Sequence, residues 1–249
     1  MASGLPAWRR REAFEYVESL AGPLLAWEYL RRNLSYRTAW HLCDPTVAET
    51  AGHEWGLLRL LDPDLDARAV VPIWRPDPPT TLRVIRSSSP MEGFKLYDLD
   101  IDQSAPNAVH DDEGTYLTAL VGPNVWQVHV ADGLRPQDGI AVAIQADAYA
   151  RRRVAAADRF IGDLNRKSAS SRKRSPLPGR ATRFHASVIQ SLDGAAAGAS
   201  HREIAVALRG AKWVSSRWTP DGELRASIRY FLKRGALLVG GGYRQLIYR

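Results

Sequence analysis

Cysteine is almost absent from this chain, with one residue, Cys43, in 249. A single thiol excludes an intramolecular disulfide and a cysteine-rich zinc module, so Cys43, between Leu42 and Asp44 near a helix end, reads as a small buried filler. Long apolar runs are missing too: nothing approaches the roughly 18 residues of a membrane span. The opening MASGLPAWRRREAFEYV has charge but no apolar segment of a secretory signal. A cytosolic protein without membrane attachment is expected. Catalytic signatures are lacking as well. No Ser/His/Asp order, nucleophile elbow or committed carboxylate pair occurs. Asp98, Asp100 and Asp102 mimic the start of a calcium loop, but the sixth position is Gln103 instead of glycine and the twelfth is Val109 instead of glutamate. His41, Cys43 and His53 lack zinc-finger spacing, and Gly240–Gly242 lacks the spacing of a dinucleotide-binding loop. The expectation is a non-enzyme with no cofactor and no metal.

What is present is charge, unevenly spread. Residues 1–150 hold 13 Lys and Arg against 21 Asp and Glu, a net of −8, whereas residues 151–249 hold 21 against 6, a net of +15. Solubility needs charge of either sign and does not explain segregation. A basic C-terminal segment points to a polyanion, and its helices make that polyanion nucleic acid.

The pattern along the chain predicts an α+β fold in two domains. Residues 1–90 read as a small helical module with short strands. REAFEYVESL places Phe14, Val17 and Leu20 on one side, Pro23 opens LLAWEYLRRN, and Asn33 suits its exit. Ser35 caps a third helix carrying Tyr36, Trp40 and Cys43. AVVPIWRP and TLRVIR are strand-like runs. Residues 107–249 form the second domain, starting with TYLTALV, NVWQVHV and IAVAIQ as a small antiparallel meander. A helix over the Ala/Arg-rich segment from Ala146 follows, and SASSRKRSPLPGR breaks it as a basic linker.

Three helices close the chain. The first spans Ala181–Leu192 and stops at Asp193-Gly194. The second starts at Ser200 with Glu203 three positions on, a capping box. The third takes Thr219 as cap and Pro220 as first residue and ends at Gly235. Between the last two lie ten residues, Gly210–Thr219, where a helix-turn-helix normally has three or four. Trp213 and Trp218 are expected to plug into the core and pin this extended turn. On the third helix Leu224, Ile228, Phe231 and Leu232 share one side, and Gly222, Ala226, Arg229 and Lys233 the other. ALLVGGGYRQLIYR reads as two strands of a wing bearing Arg244 and Arg249. The basic side chains assigned to duplex DNA are Arg172, Lys173 and Arg174 in the linker, Arg183 and Arg202 on the first two helices, Lys212 and Arg217 in the turn, and Arg225, Arg229 and Lys233 on the third.

LDGAAAGASHREIAVALRG, LRASIRYFLKRGALLVGGGYRQLI, AWEYLRRNLSYRTAW, WGLLRLLDP and VVPIWRP together resemble FseA-type transcriptional activators of integrative and conjugative elements. The resemblance implies a bacterial, nucleoid-associated activator of excision and conjugative-transfer genes, with promoter DNA as partner and RNA polymerase as a further one. It also implies an extended-turn helix-turn-helix whose face away from DNA packs on the N-terminal domain, a joint to which Trp27, Tyr29, Leu30 and Trp40 are assigned. Related anti-activators consist of the C-terminal domain alone, carry a negative surface and compete for the activator's N-terminal module. A basic C-terminal segment favours the activator over the alternative, an anti-activator or protein-interaction regulator that uses the fold without binding DNA.

Overall fold

The computed structural model describes residues 6–20, 22–44, 48–75, 81–89, 93–101, 108–121, 124–168, 180–219 and 222–247. The fold is α+β, and its elements pack around three cores.

The largest core is helical. It begins with a 3-10 helix, Arg11–Ser19, in which Phe14 and Val17 fall three apart on one side, the spacing a three-residue turn aligns. Helix α1, Gly22–Leu30, runs through the middle, and Leu25 to Leu30 are all buried. Helix α2, Leu34–Leu42, is capped by Asn33, whose side chain accepts from the Tyr36 N–H. Asn33 therefore opens α2, and Ser35 is not the cap. A short α3, Ala48–Gly52, leads into the Leu57–Trp74 stretch. Among the described residues AVVPIWRP adds only one bridge, Leu57 to Trp74, while Trp74 is fully buried and its backbone pairs with the side chain of Gln127 at 3.1 and 3.3 Å.

The second core lies under a mixed sheet of strands β1 (Leu82–Arg86), β2 (Asp100–Ile101), β3 (Val109–His110), β4 (Gly114–Val121), β5 (Asn124–Ala131) and β6 (Ile140–Ala143). Its order is β2-β4-β5-β1-β6, with β3 also on β4. This corrects the simple meander. β1 lies between β5 and β6, parallel to β5 and antiparallel to β6. The insertion follows from Leu82 and Val84, whose alternation buries them in the same layer as Val128 and Val130, while residues 132–139 carry the chain from β5 past β1 to β6. Helix α4, Ala150–Ser168, covers that layer with Ala156, Ala157, Phe160 and Leu164. Asp163, buried beside it, accepts from Trp126 Nε1 at 3.1 Å and Asn124 Nδ2 at 2.8 Å and pairs with Arg166.

The remaining helices are α5 (Arg180–Ala196), α6 (His201–Arg209), α7 (Ala211–Ser215), α8 (Glu223–Leu237) and α9 (Arg244–Ile247). Ile204, Ala205, Leu208, Val214 and Ile228 form the third core. The back of α5 and the C-terminal segment belong to the first: Ala186, Val188, Ile189, Leu238, Tyr243, Leu246 and Ile247 are buried with α1 and the 3-10 helix. The expected wing is a correction. Leu238–Gly242 is a π-helical turn leading to α9, because Leu238, Tyr243, Leu246 and Ile247 must all reach one side, which strand alternation cannot do. Gly241, at φ 123°, supplies the kink.

Candidate nucleic-acid interface

The candidate interface is built from α5 to α8. Helix α5 does not stop at Asp193-Gly194 but continues to Ala196, and two contacts explain this. Asp193 accepts from Arg32 Nε at 2.7 Å and Nη2 at 2.9 Å, and Gly194 is so crowded that a Cβ would meet Ile204 Cγ1 at 3.0 Å and Trp8 Cε3 at 3.2 Å. The stop comes at Gly198, φ 78°, where Ala199 N–H bonds the Gly194 carbonyl and Gly198 N–H that of Ala195. One residue further, Ser200 caps α6 as expected: its hydroxyl accepts from Glu203 N–H, and the Glu203 carboxylate accepts from Ser200 N–H at 2.9 Å. Those bonds from Ser200, joined by Arg9 at 2.9 Å, hold the Glu203 carboxyl below its ordinary value.

The long connection is largely helix α7, entered at Gly210 with φ 88°. Val214, with no exposed surface, fills the third core. Both tryptophans were expected to do so, and for Trp213 that is corrected. Trp213 is 39% exposed, while Trp218 is half-buried against the core. Within one helical turn only position 214 faces inward, so Trp213 and Arg217, four apart, share the outer side. The Arg217 guanidinium lies 4.7 Å from the Trp213 ring centroid.

Gly222, whose N–H bonds the Thr219 carbonyl, stands at the N-cap of α8. Thr219 thus closes the turn before the helix instead of capping it, and Pro220 lies outside the described residues. Gly235 does not end α8 either. It is buried inside the helix, where a Cβ would meet Leu192 Cγ at 2.8 Å, so this glycine sets the approach of α8 to α5. Ile228 is buried, and Leu224, Phe231 and Leu232 are half-buried beside it. The outer side carries Ala226, Ser227, Arg229, Tyr230 and Lys233, all exposed, with half-buried Arg225 at the flank. Neither Arg229 nor Lys233 forms an ion pair among the described residues. Tyr230, 57% exposed and tilted against Phe184 at 5.9 Å, was missed from sequence; its place one turn beyond Ala226 is the signal that marks it.

The other assigned side chains are spread around this helix. Arg183, Arg202 and Lys212 are exposed on α5, α6 and α7, and Arg172, Lys173, Arg174 and Arg249 lie outside the described residues. Arg244 donates to the Glu54 carbonyl at 2.6 Å and stacks on Tyr243. Among the described residues no group of three His, Cys, Asp or Glu side chains is gathered as a metal would require, and no helix is long and apolar enough to cross a membrane.

On the opposite side lies the joint with the N-terminal helices. Tyr29 hydroxyl meets His185 Nδ1 at 2.8 Å, Asn33 Nδ2 donates to the Val239 carbonyl at 2.9 Å, and Leu30 is fully buried in the shared core. Trp27 turns inward, donating to the Leu65 carbonyl at 3.1 Å and packing edge-on to Tyr36, while half-buried Trp40 packs at the periphery. Sequence reasoning missed the ionic part. Glu28, with no exposed surface, accepts from Arg31 Nε at 2.9 Å, Arg32 Nη1 at 2.6 Å and Ala67 N–H at 2.8 Å. Burial pushes its carboxyl up, but the Arg32 and Arg31 guanidiniums outweigh burial and hold it below the usual value. Arg32 at i+4 from Glu28 could have suggested a pair; nothing in sequence points to Asp193.

Residues 142–248 match the family model described as "T6SS, Transcription factor, DNA binding domain", and residues 7–58 match the one described as "Proteobacterial transcriptional regulator-like domain". No curated protein matches the chain. The first match spans α4 to α9, including the outer side of α8, and the second covers the helices that pack behind it. The protein is a transcriptional regulator with a DNA-binding domain.

Proposed function

We propose that this regulator is a sequence-specific activator that docks α8 on promoter DNA and controls excision and conjugative-transfer genes of a mobile element. The carrying observation is the outer side of α8. Ala226 and Ser227 keep its first half small, so the backbone can approach a groove, while Arg229 and Lys233 stand exposed without acidic partners among the described residues. Arg229 reads a base edge. Arg183, Arg202, Lys212, Arg217, Arg225 and Lys233 neutralise phosphates, joined by Arg172, Lys173 and Arg174 of the linker, which fits the +15 charge of residues 151–249. The target-gene assignment is supported by the resemblance of the N- and C-terminal motifs to FseA-type activators. Action at the chromosome, in the bacterial cytoplasm, follows from that reading. Catalysis has no part in it.

One observation favours a protein partner at the N-terminal module as well. Leu34 and Leu42, at the two ends of α2, are each 80% exposed, apolar side chains available to an anti-activator or to RNA polymerase. Footprinting of the purified chain on DNA upstream of excision and transfer genes tests the main reading. Discrete protection there, lost on unrelated promoters, is expected. Uniform protection of any sequence would reduce the protein to a non-specific binder.

A further inference from the structure

The turn between α6 and α8 offers a ring that the fold does not consume. Val214 is locked in the third core, so α7 is held firmly and its outer side points in a fixed direction. That side bears Trp213, 39% exposed, with Arg217 stacked 4.7 Å from its centroid. Trp213 Nε1 has no acceptor and Arg217 no ion pair among the described residues. Both therefore present donors outward. Stacking also limits the conformations of Arg217, so less entropy is lost when it binds a further group.

The surroundings select the class of ligand. Residues 209–219, RGAKWVSSRWT, contain three basic side chains and no acid, and Lys212, Ser215 and Ser216 are exposed around the ring. An apolar protein pocket would accept Trp213 but not this collar of cations, whereas a nucleic-acid strand suits both. In a duplex the bases are stacked and hidden, so an aromatic ring beside a helix-turn-helix meets the apolar edge of a deoxyribose, flanked by phosphates.

We propose that Trp213 and Arg217 form a sugar-phosphate clamp. The ring packs on one deoxyribose, Nε1–H donates to the adjoining phosphate, and Arg217 pairs with the next phosphate along the strand. The clamp carries no sequence information; it fixes how α8 sits in the groove. The inference rests on the reading of α8 as the DNA-contacting helix.

Hydroxyl-radical footprinting of the full chain on a duplex selected from a random pool provides the test, since these radicals attack deoxyribose. Trp213→Ala is expected to bind both selected and random duplexes at least about tenfold less tightly, through loss of one hydrogen bond to a charged group and of the ring's packing on the sugar. At saturation it should lose protection at one or two sugars while retaining the rest. Trp213→Phe, which keeps a ring and drops the donor, should retain sugar protection with intermediate affinity. Arg217→Gln should reduce the salt slope by about 0.9, one phosphate contact. Wild-type protection and affinity in Trp213→Ala would overturn the clamp, as would an unchanged slope in Arg217→Gln; either result leaves the α8 reading intact if Arg229→Ala still relaxes specificity. Capture of an apolar peptide by the wild-type chain at Trp213, with no sugar protected, would likewise overturn it. Failure of the wild-type chain to bind any duplex would sink the α8 reading itself.

Discussion

Replacing Arg32 with alanine should loosen the joint behind the helices of the DNA-binding domain. Its guanidinium, 13% exposed, makes two bonds to Asp193 at 2.7 and 2.9 Å, one to Glu28 at 2.6 Å and one to the Glu28 carbonyl at 2.5 Å. Removing one member of a buried ion pair typically costs about 3 to 5 kcal/mol, because the other charge stays desolvated. Glu28 would still hold Arg31 and the Ala67 N–H, which places the expected loss near the low end, about 3 kcal/mol. Asp193→Ala should cost less, about 1 to 2 kcal/mol, since Arg32 then keeps Glu28 and the Asp193 side chain is already 32% exposed to water. Arg32→Lys keeps the charge but not the two-pronged geometry and should fall between them. Urea unfolding followed by circular dichroism measures this, as shifts of the midpoint at constant slope. An Arg32→Ala midpoint within about 0.5 kcal/mol of wild type, or a larger loss for Asp193→Ala, would refute the reasoning.

Glu28 adds a pH signature. Its folded carboxyl lies below the unfolded value near 4.3, so its contribution is present above that pH and is lost as pH falls through the folded value; urea midpoints of Glu28→Gln should lack this part of the acid dependence. Val214→Ala should cost about 1.5 to 3 kcal/mol, the transfer of two buried methyl groups plus the cavity they leave, with Trp213→Ala nearly neutral in melting; the reverse order would restore the ring as the anchor of the turn. Gly235→Ala sets a helix-propensity gain of about 1 kcal/mol against overpacking of Leu192 worth about 1 to 3, so the midpoint should fall, and a rise would show that α5 and α8 are free to part.

Legibility followed the range of the interactions. The capping box at Ser200–Glu203, the hairpin β4–β5 and the buried side of α8 depend on residues a few positions apart, and spacing revealed them. What failed depended on distant partners. Gly194 and Gly235 look like helix stops until Ile204, Trp8 and Leu192 are placed against them. The glycine-rich tail looks like a hairpin until the first core claims Leu238, Tyr243, Leu246 and Ile247. Of the two tryptophans of the turn, Trp218 packs against the third core, but Trp213 was misjudged because size favours burial, whereas the turn of α7 admits one inward position, and Val214 occupies it. At the candidate interface, helical spacing placed Ala226, Arg229 and Lys233 on the outer side of α8, but Tyr230 was overlooked among the apolar residues beside it.

The central claim is that the outer side of α8 reads sequence. Its most direct measurement is equilibrium titration of wild type and Arg229→Ala with a selected duplex and a scrambled one of equal length, repeated across salt concentrations. The wild type should prefer the selected duplex by at least about 10³. Arg229→Ala should lose about 10- to 100-fold on the selected duplex and little on the scrambled one, with specificity relaxed at one base pair. Equal losses on both duplexes would assign Arg229 to a phosphate, and equal wild-type affinity for both would contradict the claim.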